Sequence, residues 1–208
     1  MGEAKTCTRG GTHGDAGSDG HKVFGSPGPL HPMPGAVFLA GDRVELRTIE
    51  RDDLEFLRDA INDPAVRKNL TVRWPINLEQ EEDWFEEQVT SDEHLNLLIK
   101  GEDGPSGTIG LGPIDDSSGV AELGIWIREA DWEQGYGTEA SELLLTHAFN
   151  ELRLHRIEAR VFEGNEASRN LWETLGFDHE AVHREAIYLH GEYLDVHRYA
   201  MLEQEWEQ

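Results

Sequence analysis

The chain has 208 residues and a formal net charge of −24, with 42 acidic side chains against 18 lysines and arginines. This length suffices for one domain with a full hydrophobic core. The acidity argues against a nucleic-acid-binding protein, which needs a basic surface to neutralise phosphates. The sequence has no run of 18 apolar residues and no apolar secretory segment, so we expect a cytoplasmic protein that does not bind a membrane.

Residues 1–35 differ in composition from the rest of the chain. They hold nine glycines, four prolines and three histidines, with almost no apolar periodicity. Such a segment buries too little surface to offset its ordering entropy, so we predict a disordered tail before a single domain at residues 36–208. Because Met33 lies just before the first strand-like run, an overlong gene start is the alternative. Cys7 is the only cysteine and the histidines lack ligand spacing, so we expect neither a disulfide nor a metal site.

The net charge belongs entirely to residues 36–208, where Lys68 and Lys100 are the only lysines. Two explanations remain open. An acidic surface attracts cationic substrates. It is also typical of proteins from a high-salt cytoplasm, where repulsion is screened within a few ångströms. We favour the second explanation, a halophilic protein.

The first half of the domain shows alternating strand-like and helical patterns. One helix should begin with a capping box, in which Asn77 and Gln80 pair with each other's backbone N–H groups. Pro64 should end the helix before it. The predicted elements are a strand at Asp42–Ile49, helices at Asp52–Ile61 and Asn77–Gln88, and strands at Leu95–Ile99 and Thr108–Ile114.

The second half predicts a strand–helix–strand–helix order and then a hairpin. The first helix runs to about Asn150, since Ala140, Leu144 and Ala148 recur every four residues. The second ends at Gly176, a residue that favours helix termination. The predicted elements are strands at Val120–Ile127 and Arg156–Phe162, a helix at Glu166–Leu175, and hairpin strands at Ala186–Leu189 and Tyr193–Met201.

A glycine-containing turn joins the strand at Val120–Ile127 to the helix that follows. Gly135 and Gly137 let backbone N–H groups approach a ligand, and the start of the helix adds unpaired donors and a positive dipole end. We therefore predict a phosphate or pyrophosphate site. No lysine follows Gly137, which excludes a P-loop, while Ala140 in place of a third glycine argues more weakly against a dinucleotide site.

A second motif follows about 30 residues later, with Asn165, Ser168 and the run Leu175-Gly176-Phe177. Together, the two stretches resemble the GNAT superfamily of acyl-CoA-dependent N-acetyltransferases: Gln134-Gly135-Tyr136-Gly137 is similar to its pyrophosphate signature. The residue pattern from Trp132 to Ala140 is similar to that of the RimJ/RimL-like branch, whose members acetylate protein N-termini. The resemblance implies an α/β (α+β) fold with a mixed, mostly antiparallel sheet, flanking helices and splayed central strands.

The resemblance also implies acetyl-CoA as co-substrate, with no metal. Its pyrophosphate would be bound mainly by backbone donors of the turn: Gln134, Gly135, Tyr136, Gly137 and Thr138. Asn165 would hydrogen-bond the pantetheine arm, and it is also a good helix N-cap. Backbone groups near Trp126 and Ile127 would pair with the pantetheine amides like an added strand.

Glu122 is the candidate general base. Strand period places it with Trp126 on the face opposite the apolar Ala121, Leu123 and Ile125. An ammonium has no lone pair, so a carboxylate near the amine can take its proton. Many GNAT members carry a glutamate here. The alternative is a solvent-facing glutamate in a glutamate-rich chain.

The usual GNAT general acid, a tyrosine, is replaced by Trp172, whose indole has no acidic proton. Ser168 is the nearest alternative and either donates to the CoA thiolate or only caps its helix. A thiolate also leaves without an acid, since thiol pKa values lie near 8.5.

The acceptor cleft is less clearly marked in the sequence. Arg73-Trp74-Pro75 and Trp84-Phe85 are candidates for its wall, although Trp84 and Phe85 equally suit the buried face of a helix. Asp195 is a candidate for binding an N-terminal ammonium.

The sequence therefore predicts an N-acetyltransferase, a monomer or homodimer, whose favoured acceptor is the N-terminal α-amine of a (ribosomal) protein. A small-amine acetyltransferase acting on a polyamine, amino acid or aminoglycoside is the alternative. A CoA-binding sensor without catalysis is a third interpretation, which Trp172 supports and Glu122 opposes.

Overall fold

The computed structural model describes residues 35–206. The predicted tail therefore lies, except for Gly35, outside the described residues. The described strands are β1 (Val37–Ala40), β2 (Glu45–Thr48), β3 (Leu95–Gly101), β4 (Gly104–Leu111), β5 (Val120–Ile127), β6 (Arg156–Phe162), β7 (Asp178–Leu189) and β8 (Glu192–Leu202). The α-helices are α1 (Leu54–Asn62), α2 (Pro64–Arg67), α3 (Leu78–Trp84), α4 (Tyr136–Asn150) and α5 (Glu166–Thr174), and α3 continues as a π-helix over Phe85–Val89.

The eight strands form one sheet in the order β1-β2-β3-β4-β5-β6-β8-β7. Every neighbouring pair is antiparallel except β5 and β6, which are parallel. A parallel pair needs a crossover, and α4 supplies it between these two strands. The predicted mixed, mostly antiparallel sheet is confirmed.

The parallel pair separates after a short ladder. Its paired residues are Val120–Glu122 on β5 and Arg156–Glu158 on β6. Both strands continue, β5 to Ile127 and β6 to Phe162. The rest of β5 therefore pairs only with β4, and its other edge faces the gap between the strands. The predicted splaying of the central strands is confirmed.

Helices cover both faces of the sheet, because successive strand residues point to opposite sides. On β3, Leu97 and Ile99 pack with α4 and α5, while Leu98 packs with α1 and the end of α3. Burying one such side chain stabilises the fold by about 1.5–3 kcal/mol.

Glu139 fixes α4 to the β1–β2 turn. Its carboxylate accepts hydrogen bonds from the backbone N–H groups of Arg43 and Val44, at 2.8 and 3.3 Å. This contact holds the start of α4, and the turn before it, in place against the edge of the sheet.

The predicted bounds of β5 and β6 are confirmed, as is the Asn77–Gln80 capping box. Gly176, with a φ of +88°, directly follows the last turn of α5 as predicted. The short strand β1 was not predicted. Pro64 starts the unpredicted α2 instead of only ending α1, because proline suits the first helical position.

Several predicted strands have different bounds in the structure, and two of them differ most. The one expected at Ala186–Leu189 begins at Asp178, and its two bulges interrupt the alternation that would have revealed it. The one expected at Thr108–Ile114 runs from Gly104 to Leu111. No helix among the described residues is long and apolar enough to cross a membrane.

Candidate active site

Two cavities meet where β5 and β6 separate. The α3 cavity, of about 630 Å³, lies between α1, α3 and the central strands. The α4 cavity, of about 670 Å³, lies between the turn before α4 and the start of α5. Both are lined by Ile125, Trp126, Asn165 and Ser168. Two ligands bound side by side would therefore meet at the open edge of β5.

The turn before α4 presents unpaired backbone donors to the α4 cavity. Gly135 is the N-cap residue with a φ of +79°, a conformation that favours glycine, and no side chain caps the helix. The first helical N–H groups, those of Tyr136, Gly137 and Thr138, have no intrahelical acceptors. Uncapped donors at the positive end of a 15-residue helix suit a phosphate or pyrophosphate.

The side chains of Gln134 and Tyr136, two of the predicted turn residues, make hydrogen bonds within the protein. The Gln134 amide donates to the backbone carbonyl of Ala130 at 3.3 Å. The Tyr136 ring is buried in the core, and its hydroxyl oxygen accepts from the Glu102 N–H at 3.3 Å. A ligand of the turn would therefore meet the backbone of these residues rather than their side chains.

Lys68 also lines the α4 cavity, and sequence reasoning did not place it there. Its ammonium lies 5.3 Å from the centre of the Trp132 ring. This brings one of the domain's two lysines to the predicted phosphate site. Only the scarcity of lysine in the sequence could have drawn attention to it.

Asn165 and Ser168 lie at the junction of the two cavities. The Asn165 side chain caps α5 by accepting from the Ser168 N–H at 3.2 Å. The Ser168 hydroxyl oxygen accepts from the Trp172 indole at 3.1 Å. Asn165 therefore makes the cap, and the Ser168 hydroxyl proton has no acceptor among the described residues.

Trp126 and Ile127 end β5 on the open edge. Trp126 lines both cavities, whereas Ile127 lines only the α4 cavity. The Ile127 carbonyl already accepts a hydrogen bond from the Trp132 indole at 2.7 Å. One lone pair of that carbonyl is therefore occupied before any cofactor amide arrives.

Glu122 lines the α3 cavity beside the point where the strands separate. Its carboxylate accepts from Arg160 on β6 at 2.6 Å and from Arg198 on β8 at 3.3 Å. The Glu122 side chain is 25% exposed, so it is partly buried rather than fully solvent-facing. Arg198 also donates to Glu158 at 2.6 Å, which extends the ion-pair network along β6.

Glu158 has similar partners but a different location. Its hydrogen bond from Arg156 lowers its pKa below the usual value, and Arg198 adds to the effect. It does not line either of the two cavities described above. Glu158 is therefore a natural comparison for Glu122.

Glu81 is a carboxylate of the α3 cavity that sequence reasoning missed. It is only 5% exposed, and its side chain has no hydrogen bond or ion pair within residues 35–206. Burial raises the pKa of Glu81 to about 7, although the nearby Arg58 guanidinium acts to lower it. The signal was present in the helical spacing, which puts Glu81 on the inward face with Leu78 and Phe85.

His94 is the second polar group of the α3 cavity that was missed. Its Nδ1 atom is buried and has no hydrogen-bond partner in the described part of the chain. Glu81 and His94 thus give this cavity unpaired hydrogen-bonding capacity, as a binding site for a polar ligand would have.

Comparisons with known proteins agree with this geometry. The family model of the acetyltransferase (GNAT) domain matches residues 43–178. The chain belongs to the GNAT acetyltransferase family. GNAT acetyltransferases use acetyl-CoA, and the uncapped turn before α4 fits its pyrophosphate.

Three similar proteins illustrate this relationship. The N-acetyltransferase p20 of Bacillus licheniformis is 30% identical over 175 residues, which cover 81% of this chain and 97% of p20. YdaF of Bacillus subtilis strain 168, named as a proposed ribosomal N-acetyltransferase, is 38% identical over 101 residues, or 49% of this chain and 55% of YdaF. The structure of Vibrio cholerae spermidine N-acetyltransferase with CoA and spermine has a TM-score of 0.74 at 22% identity, covering 79% and 98% of the two chains.

The family and its relatives make this chain an N-acetyltransferase, so the interpretation as a CoA sensor without catalysis is set aside. The residues suggested for the wall of the acceptor cleft do not all lie at one cavity. Trp84 lines the α3 cavity, while Phe85 belongs to the core. Trp74 is 76% exposed, and Arg73 donates to the Tyr188 carbonyl.

Asp195, suggested as an ammonium ligand, accepts from the Glu185 N–H at 2.8 Å. It therefore supports the bulge in β7 and is not among the residues that line the α3 cavity. In residues 35–206, no group of three or more His, Cys, Asp or Glu side chains is arranged to hold a metal.

Gly137→Val should weaken CoA binding about tenfold or more. A Cβ at residue 137 would lie 3.6 Å from Ile127 Cδ1 and 3.9 Å from Ile125 Cδ1, so one methyl group fits. The two further methyl groups of valine must enter the α4 cavity beside the helix start. Calorimetry with CoA measures the loss, and Gly137→Ala is the matched control. Unchanged affinity in the valine variant would place the pyrophosphate elsewhere.

Glu81→Gln should stabilise the GNAT domain increasingly as pH rises. The folded pKa of about 7 lies above the ordinary 4.5, so the folded state binds the extra proton and the wild type loses stability through this window. Between pH 5 and 8, the unfolding free energy of wild type should fall by about 2–3 kcal/mol relative to the variant. Urea unfolding measures the difference.

The neighbouring exposed Glu82 provides the control for this measurement. Glu82→Gln should show no such pH-dependent gain, because its carboxylate is already solvated. A constant difference between wild type and Glu81→Gln across this pH range would mean that Glu81 is hydrated in the folded protein.

Proposed function

We propose that this N-acetyltransferase transfers the acetyl group of acetyl-CoA to the α-amine of a protein N-terminus, as in the RimJ/RimL-like branch. The observation that supports transfer is the meeting of the α3 and α4 cavities at the open edge of β5, with Glu122 in the wall. The 38% identity to YdaF, which is named for ribosomal N-acetylation, exceeds the 22% identity to the spermidine N-acetyltransferase, and this supports a protein acceptor. In this arrangement, the acceptor occupies the α3 cavity and CoA the α4 cavity.

The reaction requires an uncharged amine, because only a free lone pair can attack the thioester carbonyl. We assign Glu122 as the group that removes the proton. The new nitrogen–carbon bond forms as the carbon–sulfur bond breaks, and the electron pair leaves on sulfur. We propose that the Ser168 hydroxyl donates a hydrogen bond to that thiolate, which then takes a proton from solvent, while Glu122 releases the amine proton to solvent.

Arg160 and Arg198 fit this role by orienting the Glu122 carboxylate. The oxygen that contacts Arg160 at 2.6 Å is firmly held, whereas the one 3.3 Å from Arg198 is held more loosely. We propose that the second oxygen takes the proton. The two arginines fix the direction of the carboxylate toward the cavity.

Glu122→Gln should lower kcat by about 10²- to 10⁴-fold at neutral pH, because the amide keeps the shape but accepts no proton. Higher pH should partly restore the rate, since more amine arrives uncharged. The KM for acetyl-CoA should change little. Steady-state kinetics between pH 6 and 9 measure all three effects.

Glu158→Gln is the matched control for loss of the ion pairs, since Glu158 shares Arg198 but lies outside the two cavities. It should keep kcat near the wild-type value. Equal effects of the two substitutions would assign Glu122 a structural role only, and the amine would then lose its proton to water or to another group.

The fold similarity to the Vibrio cholerae spermidine N-acetyltransferase favours the small-amine alternative. A panel of peptides with free N-termini, polyamines, amino acids and aminoglycosides should separate the alternatives. We expect the highest kcat/KM for a peptide, measured by release of free CoA thiol. A polyamine with a higher kcat/KM than every peptide would overturn the protein acceptor.

We further propose that the protein is halophilic and that residues 36–208 form the working domain. The supporting observation is the net charge of −24 on 208 residues. Repulsion among these charges is screened within about 3 Å at molar salt. The melting temperature should therefore rise steeply with KCl from the millimolar to the molar range, as followed by circular dichroism. A flat dependence would instead connect the acidity to the substrate.

A further inference from the structure

We propose that Glu81 binds a second positive charge of the acceptor, separate from the amine that is acetylated. This inference rests on the proposed function, because it assigns the α3 cavity to the acceptor. The preferred acceptor would then carry at least two cationic groups. A diamine or a peptide with lysine or arginine beside its N-terminus has this chemistry.

The first argument is that Glu81 has no partner. It is 5% exposed, and no hydrogen bond or ion pair reaches its carboxylate from residues 35–206. The Arg58 guanidinium influences it, but Arg58 is paired with Asp59 at 2.7 Å. A buried, unpaired carboxylate is costly, and a bound cation would remove that cost.

The second argument is that the two carboxylates of the α3 cavity stand on different walls. Glu81 stands on α3, and Glu122 stands on β5. A carboxylate that only stabilised the reacting ammonium would oppose its deprotonation. Because Glu122 is assigned to the reacting amine, Glu81 suits a cation elsewhere on the same acceptor. Trp84 and Trp126 also line the cavity and suit the apolar stem between two charges.

The third argument is the balance of charge around the cavity. Its titratable lining groups are Glu81, Glu122, His94 and Arg160. Arg160 is committed to Glu122. Glu81 is therefore the one carboxylate of the lining without a basic partner, and the cavity can accept an additional positive charge.

The experiment compares acceptors that differ only in the second charge. One pair is a tetrapeptide amide with lysine at its second position and the same peptide with norleucine there. The other pair is cadaverine and pentylamine. For wild type, we expect the dication of at least one pair to have a kcat/KM about tenfold or more above its monocation.

Glu81→Gln should reduce this ratio toward one, mainly through a higher KM for the dication. Glu82→Gln, on the exposed side of the same helix, should leave it unchanged. The pair that shows the ratio distinguishes a peptide from a diamine. A wild-type ratio near one in both pairs, or an unchanged ratio in Glu81→Gln, would overturn the inference.

The ratio should also depend on pH. Since the pKa of Glu81 is raised to about 7, its carboxylate is present above that value, and the preference should grow from pH 6 to pH 8. The other charged groups near this site, Arg58, Arg160, His94 and Glu122, are the same in wild type and in Glu81→Gln, so any effect they have on the ratio appears in both proteins. A ratio that grows equally in Glu81→Gln would assign the pH dependence to those groups and contradict our proposal.

Binding without turnover separates this inference from the proposed function. Calorimetry of the CoA-bound protein with each pair gives a ratio of affinities that requires no acetyl transfer. If no probe is acetylated but the affinity ratio still depends on Glu81, the proposed function fails and the cation site stands. If neither dication binds more tightly than its monocation, the cation site fails whatever the activity.

Discussion

The separation of β5 from β6 is the constraint on which the site depends. The two strands share a ladder only at Val120–Glu122 and Arg156–Glu158, so the sheet gives up backbone hydrogen bonds where it would otherwise be continuous. An extended ligand with amides can pair with the backbone groups on this free edge of β5. Gly124 lines the α3 cavity, and a Cβ added there would meet nothing within 4 Å, so there is free space against this face of β5.

The separated strands are joined at their branch point by side chains. The Glu122 carboxylate on β5 contacts Arg160 on β6 and Arg198 on β8. These contacts span the gap that the lost backbone pairs leave. A residue proposed for proton transfer thereby also stabilises the geometry that creates the acceptor cavity, which is why its catalytic and structural roles must be separated by comparison with Glu158.

Much of the secondary structure could be predicted from short stretches of the sequence. The bounds of β5 and β6 followed from apolar runs, and the end of α5 followed from Gly176, whose positive φ favours glycine. The short strand β1 was missed because its four residues are too few to show a period, although valine and phenylalanine favour strands. The polar strand β7 was largely missed, since most of its side chains are exposed and its bulges break the alternation. For β7, pairing with β8 rather than propensity creates the strand.

The candidate site likewise has some features that nearby residues predict and others that only the folded arrangement creates. The turn with Gly135 and the cap at Asn165 depend on residues close in sequence, and both were placed correctly on their elements. The partners of Glu122 depend on strand order, which no spacing within β5 encodes. Glu81 shows the opposite case, because its helical spacing with Leu78 and Phe85 indicates an inward side chain, although we did not single it out from the sequence. Glu81 is significant because it is buried without a partner. The sequence has 42 acidic residues, and only the packing of the folded protein distinguishes Glu81 among them.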